Sequence, residues 1–374
     1  MADEGELGFE VTAGGTSETT AKMGTVKDGL DALEASALST RNQFLFLSFG
    51  VYAMAGIFGN VVKVFGGLKD AIMTTAMATE QQATVISTLT GGMSKDYKTI
   101  SDEMVRLGVK TQWTALEAGQ AMERLAMNGF NLAQTMGAAE MTLNLAAIGM
   151  VTTTEAADIA AGTMRAFGLG METTNEAAGN LTTVVADLTY AVTNSAVTVS
   201  DMGEALKYTG AIAQQLGIEL ESITAFLMIG ANSMIKGGLA GRSLRVSLLR
   251  IAKATGQLND DYGNASETMA NYNINFLDSA GNMKDMAGII DELNSKLGDL
   301  TEVQKQAALA SIFEAQAVPL ITANMTAGGD AIREYQYEMK VASARSTLAA
   351  KIKEDEVTVF KTWIGQMEIG RASC

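Results

Sequence analysis

Histidine is absent from this chain, and cysteine and proline occur once each. Without histidine, imidazole-bound metal sites are excluded, and so is any serine or cysteine nucleophile activated by a neighbouring imidazole. The one cysteine is Cys374, so no disulfide can close within the chain. Proline breaks helix interiors and makes up about 5% of an average sequence. Here Pro319 stands alone among 374 residues. Aromatic residues are scarce as well, 6% against 47% apolar, so small and aliphatic side chains must fill the core. Abundant Ala, Leu, Met, Glu and Gln favour helix. The composition predicts an all-α protein.

Positive charge is also in short supply: 27 Lys and Arg face 42 Asp and Glu, a net charge of −15. Nucleic-acid affinity comes largely from cations that neutralise phosphates, so direct nucleic-acid binding is not expected. Adsorption to an anionic membrane surface is disfavoured for the same reason. No basic-then-apolar leader is present. Residues 1–22 are acidic and rich in Gly, Thr and Ser, and read as a flexible acidic arm.

Residues 23–93 read as a hydrophobic helical stem. Within it Phe44–Val62 carries no charge over nineteen residues, the lower limit for crossing a bilayer. Gly50, Gly56 and Gly59 suit close packing of helices, in a membrane or in a soluble bundle. Two readings stay open for this segment: a buried, self-associating helix, or a membrane-inserting one.

Glycine is plentiful, with 38 residues, although each costs roughly 1 kcal/mol inside a helix. Many stand where a helical pattern ends, where glycine is a preferred stop. Asn128-Gly129-Phe130-Asn131, Ile148-Gly149-Met150, Phe167-Gly168-Leu169-Gly170 and Leu216-Gly217-Ile218 each close one pattern and open the next. Asn131 with Gln134, Thr152 with Glu155 and Thr173 with Glu176 have the spacing of capping boxes. Ala118, Met122, Leu125, Gly129, Leu132, Met136, Ala139, Leu143, Ala146 and Met150 form a heptad-like seam. Its glycines predict helical hairpins and not one continuous coiled coil. The glycine interval is near twenty residues and too loose for a fixed-period solenoid. Further helices are expected at about 94–109, 174–194, 200–216, 219–233, 239–255, 285–297 and 301–315, with a last one from about 331. A polar loop follows Gln257. Weak alternation through Tyr272, Ile274 and Phe276 to a turn at Gly281 predicts one small β-hairpin near 272–284.

Gly237–Ser243 has the look of a phosphate loop but lacks its chemistry. Such a loop needs glycine where Lys236 stands and lysine where Arg242 stands, and it follows a strand. Asp260-Asp261 and Asp278 with Asn282 lack the ligand spacing of a calcium loop and read as turn formers. Arg242, Arg245 and Arg250 make a basic helix rim suited to ion pairing or a partner contact. No pair of carboxylates is spaced for acid–base work. No catalytic, cofactor or metal site is expected.

Taken in order, the glycine punctuation from Met104 to Met325, the run Lys236–Arg245 and the run Ile312–Ala317 resemble the core of phage tail tape measure proteins of the TP901 type. Gly129, Gly237, Gly238, Ala240, Gly241, Leu244, Arg245, Phe313 and Ala317 carry the resemblance. Two positions depart from it: Arg242 stands where the family has a small residue, and Glu314 where it has glycine. The resemblance implies a helical-bundle core at 94–325, followed by a C-terminal helix at 326–374. It implies a structural role, setting tail length during assembly and leaving the tail at genome ejection. The implied location is the virion tail, with assembly in the host cytoplasm. Implied partners are the tail tube protein, tail assembly chaperones and tail-tip or baseplate proteins, with the host membrane at ejection. Self-association is expected through the stem. An alternative reading from a different class is a helical pore-forming protein that inserts residues 44–62.

Overall fold

In the computed structural model the described residues are 76–91, 96–257 and 263–344. Helix follows helix through all three stretches. Helix α1 covers residues 76–89. Then come α2 (Asp96–Lys110), α3 (Ala115–Met127), α4 (Leu132–Gly149), α5 (Thr153–Ala166), α6 (Thr174–Asn194), α7 (Val199–Gln215) and α8 (Leu220–Asn232). They are followed by α9 (Gly237–Ala254), α10 (Gly263–Asn271), α11 (Met286–Leu297), α12 (Glu302–Phe313) and α13 (Val318–Ala327). Residues 329–344 form α14. The described residues from Ala78 onward form one compact unit. The acidic arm and residues 23–75 of the stem, with Gly50, Gly56, Gly59 and the rest of Phe44–Val62, lie outside the described residues.

The capping chemistry explains where helices begin. Thr114, Asn131 and Thr301 each accept from the backbone N–H three residues on, and the Glu or Gln there reaches back. Thr152 and Thr173 accept from the Glu155 and Glu176 N–H groups, both at 3.2 Å. Pro319 sits in the first turn of α13, where its missing N–H has no helical partner to lose.

Helix ends repeat one device. After α3, α5, α7 and α9 stands a glycine with positive φ: Gly129, Gly168, Gly217 and Gly256. The next residue donates back across the end in each case: Phe130 to Leu125 O, Leu169 to Met164 O, Ile218 to Ala213 O and Gln257 to Ala252 O. This is the Schellman stop. Phe130 and Ile218 then turn inward and are buried.

These ends mark a two-helix unit. The odd-numbered helices α3, α5, α7 and α9 start after residues 114, 152, 198 and 236, in steps of 38, 46 and 38. The long step contains α6, at 21 residues the longest of these helices. Helices α3, α5, α7 and α9 pack on one another in order, and α4, α6 and α8 form a second row beside them. The unit is therefore a hairpin of about two helices, where the glycine interval of roughly twenty residues counts single helices. The heptad-like seam divides between α3 and α4. Its Ala118, Met122, Leu125, Ala139, Leu143 and Ala146 are buried, while its last member, Met150, is 92% exposed in a turn.

Two expectations need correction. Gly263–Asn271 lies in the region expected to be loop but forms α10, a polar helix held by packing on α12. The predicted β-hairpin near 272–284 reduces to a single antiparallel bridge between Leu277 and Met283. Asp278 closes the turn after that one rung, its Oδ1 accepting from Ala280 N–H and Asn282 N–H at 2.8 and 2.9 Å. Those bonds lower the Asp278 pKa, the Asn282 N–H foremost. The carboxylate is engaged as a turn former.

Candidate functional site: the seam joining helices α7, α9 and α12

Lys236 offers no side-chain cap to α9. Glu204, from α7, supplies one: its Oε2 accepts from Gly238 N–H at 3.0 Å. A carboxylate thus occupies the helix N-terminus where a phosphate loop would hold its ligand. Lys236 Nζ pairs with Asp201 at 3.1 Å. Burial would raise the Asp201 pKa, but hydrogen bonds from Thr198 and Lys236 hold it below the usual carboxylate range.

Gly241 is the point of closest approach. A Cβ there would stand 2.6 Å from both Cα and O of Ala205, so only glycine admits the α7 backbone. The same row is tight further back, where a Cβ on Gly210 would meet the Ala166 Cβ at 2.5 Å. Ala240 and Leu244 are buried beside Gly241, while Arg245 faces solvent.

The three arginines of the rim divide their work. Arg242 lies 5.3 Å from the centroid of the Tyr208 ring. Arg250 reaches the end of α12: Nε donates to Ile312 O at 2.9 Å, Nη2 to Ser311 O at 2.7 Å, and Nη1 to Glu314 Oε1 at 3.1 Å. A cation on the last carbonyls of a helix satisfies orphan acceptors and opposes the dipole. Phe313 is buried against Phe276, with centroids 6.1 Å apart, and Ala317 is buried one turn on. Ser243 Oγ donates to Gln316 O at 3.3 Å.

The structure therefore brings Gly237, Gly238, Ala240, Gly241, Leu244, Phe313 and Ala317 onto one seam. It leaves Gly129 apart, at the end of α3. Glu314 has φ 71° and ψ 150°, a region open in practice to glycine alone. The glycine that the family resemblance places there has this physical reason.

One residue of consequence was not singled out from the sequence. Asp187, on α6, is fully buried, and neither carboxylate oxygen has a hydrogen-bond partner. The available signal was its register: Val184 and Ala191, three before and four after it, are core residues on the same stripe.

An open groove of about 520 Å³ runs between α5 and α7 past Glu155, Asp158, Gly162, Gly203 and Lys207. Among the described residues no cluster of three or more Cys, Asp or Glu is placed to hold a metal ion. Among the same residues no helix is long and apolar enough to cross a membrane. What the seam does physically is lock three helices together through backbone approach, an acid-capped helix start and an arginine-capped helix end.

Such an arrangement defines a helical scaffold built from stacked hairpins. The family model for phage-related minor tail proteins matches residues 101–314, more than half of the chain, and the chain belongs to that family of tail proteins. The tape measure protein of Pneumococcus phage Dp-1 is 30% identical over 249 residues, covering 67% of this chain and 20% of that protein. The probable tape measure protein of Escherichia phage P2 is 25% identical over 329 residues, covering 83% of this chain and 38% of that protein. The chain spans between a fifth and two fifths of the length of these relatives. No solved structure matches the chain.

Proposed function

We propose that this chain is the structural core of a tail tape measure, which takes part in setting tail length during assembly and leaves the tail with the genome. The observation that carries this reading is the hairpin stack itself. It lies within the family-matched stretch, and the two relatives are named tape measure protein and probable tape measure protein. In this reading the core works without catalysis, at residues 94–325, between the helical stem and a C-terminal helix. Its partners are the tail tube protein, the assembly chaperones and the tail-tip or baseplate proteins. Assembly takes place in the host cytoplasm, and copies of the chain associate through the stem.

A ruler converts residues into length. An extended helix advances about 1.5 Å per residue, so the full chain would reach at most roughly 560 Å. A folded stack gives far less, about 10 Å for each helix added to a row. Deleting residues 152–235 from the phage gene removes two whole hairpins. Tail lengths measured by electron microscopy are expected to fall. A loss of roughly 20 Å marks a core that stays folded in the tail, and roughly 126 Å marks one drawn out as helix. Tails of unchanged length would sink the ruler role.

A further inference from the structure

We infer that α14 is a releasable latch that closes over Asp187 and needs a proton on that carboxylate to stay shut. The inference goes beyond the tape measure reading and does not rest on it.

Helix α14 lies on α6 through a Ser343–Thr183 hydroxyl contact of 3.1 Å and an edge-to-face pairing of Tyr335 with Tyr190, centroids 6.4 Å apart. It reaches the start of α8 through Lys340 Nζ and Glu219 Oε2 at 2.8 Å. Ile332 and Met339 are fully buried on its inner face. Thr183, Asp187 and Tyr190 fall at i, i+4 and i+7 along α6, so the two α6 contacts bracket the carboxylate. Asp187 is shut in with both oxygens unpartnered, and Thr224 on α8 is buried with its hydroxyl likewise unpartnered.

Charges from the packed elements do not favour an ionised Asp187. Glu221 on α8 repels it. Lys340 on α14 attracts it, but the ammonium is held by Glu219. Burial foremost, then Glu338, Tyr335 and Glu334 of α14, raises the pKa of the neighbouring Tyr190. On α4, α5 and α7, Glu140 pairs with Lys110, Glu155 with Ser200, Asp158 and Arg165 with Asn128, Asp201 with Lys236 and Glu204 with Gly238, while Lys207 lines the open groove between α5 and α7. Burial foremost, then Glu221, pushes the Asp187 pKa up to about 8, with Lys340 opposing.

Lifting α14 would return the carboxyl to water, where its pKa is near 3.9. The sign follows. A group whose pKa is raised in the closed state favours closure fully below its open-state pKa and loses that effect as pH climbs to the closed-state value. Closing takes up one proton across the window from about 4 to about 8. The contacts that oppose opening are two exposed ion pairs, Lys340 with Glu219 and Arg333 with Asp291, each worth little, the Ser343–Thr183 and Tyr335–Tyr190 contacts, and a small apolar face.

Hydrogen exchange on the full chain, corrected for intrinsic rates, tests this. Opening of residues 329–344 is expected to increase nearly tenfold per pH unit between about pH 5 and 7. In Asp187→Asn the opening should be flat with pH. A second variant keeps the test sharp should that one misfold. Thr183→Cys with Ser343→Cys, on a Cys374→Ser background, pins the latch by a disulfide at a site already in contact. The pinned chain must lose the slope and regain it on reduction. A wild-type slope of zero, the same slope in Asp187→Asn, or a slope that survives pinning would overturn the proposal.

Discussion

Glu314 shows how one side chain can hide a backbone requirement. Its φ of 71° with ψ of 150° costs about 1–3 kcal/mol for any residue with a Cβ. The pair with Arg250 returns at most about 1 kcal/mol, because the Glu314 side chain is 41% exposed. Strain outweighs the ion pair. Glu314→Gly is expected to stabilise the fold by about 1 kcal/mol after the added chain entropy of glycine. Glu314→Ala keeps the strain and drops the pair, so it should destabilise slightly. Urea melts of both variants decide the matter, and a glycine variant no more stable than the alanine one would refute the strain account. At this scale the sequence was partly legible. The departure at Glu314 was visible, but its meaning needed a dihedral angle. Asp187 carried one local mark of its burial, the register it shares with the core residues Val184 and Ala191, and nothing in its own chemistry added to that.

Helices were more legible than their partners. Their ends are written locally, as Thr or Asn caps and as glycines that must adopt positive φ, and the sequence reading placed most boundaries within a few residues. Helix α10 escaped because tertiary packing on α12 holds it and no apolar stripe announces it. Glycines inside helices were ambiguous for a related reason: contact partners decide their worth. Gly241 faces the α7 backbone with no space for a Cβ, whereas a Cβ on Gly179 of α6 would meet nothing within 4 Å. Two substitutions of one kind should therefore act in opposite directions. Gly241→Ala forces α7 and α9 apart and is expected to cost about 1–3 kcal/mol. Gly179→Ala gains helix propensity, about 1 kcal/mol. Thermal melts followed by circular dichroism would show both, and equal shifts in one direction would contradict the close-approach argument.

For the molecule as a whole, the stack of hairpins sets how it comes apart. In a two-row stack each helix covers the flank of the next hairpin, so stability is a sum of unit and interface terms. A cut between units exposes one interface, while a cut within a unit strands a helix whose partner is gone. The core is arranged accordingly: one cluster gathers Ala83, Ile86, Ile100, Met104, Leu107 and Met122 around α1–α4. The larger cluster runs from the start of the stack to α14, with Phe226, Phe276, Phe313 and Met339 among its members. This long-range division was not legible in the sequence, since α6 breaks the regular step and the pairing of rows leaves no local mark. It yields a test on truncated chains. A chain starting at Thr152 begins on a whole hairpin and is expected to unfold in one cooperative transition, at a lower temperature than the full chain. A chain starting at Thr173 keeps α6 but removes α5, which packs on both α6 and α7. It should keep helical signal yet melt broadly, because the bared faces of α6 and α7 have nothing to close them. Calorimetry that found equally sharp transitions in both chains would show that the hairpin is not the unit in which this protein folds.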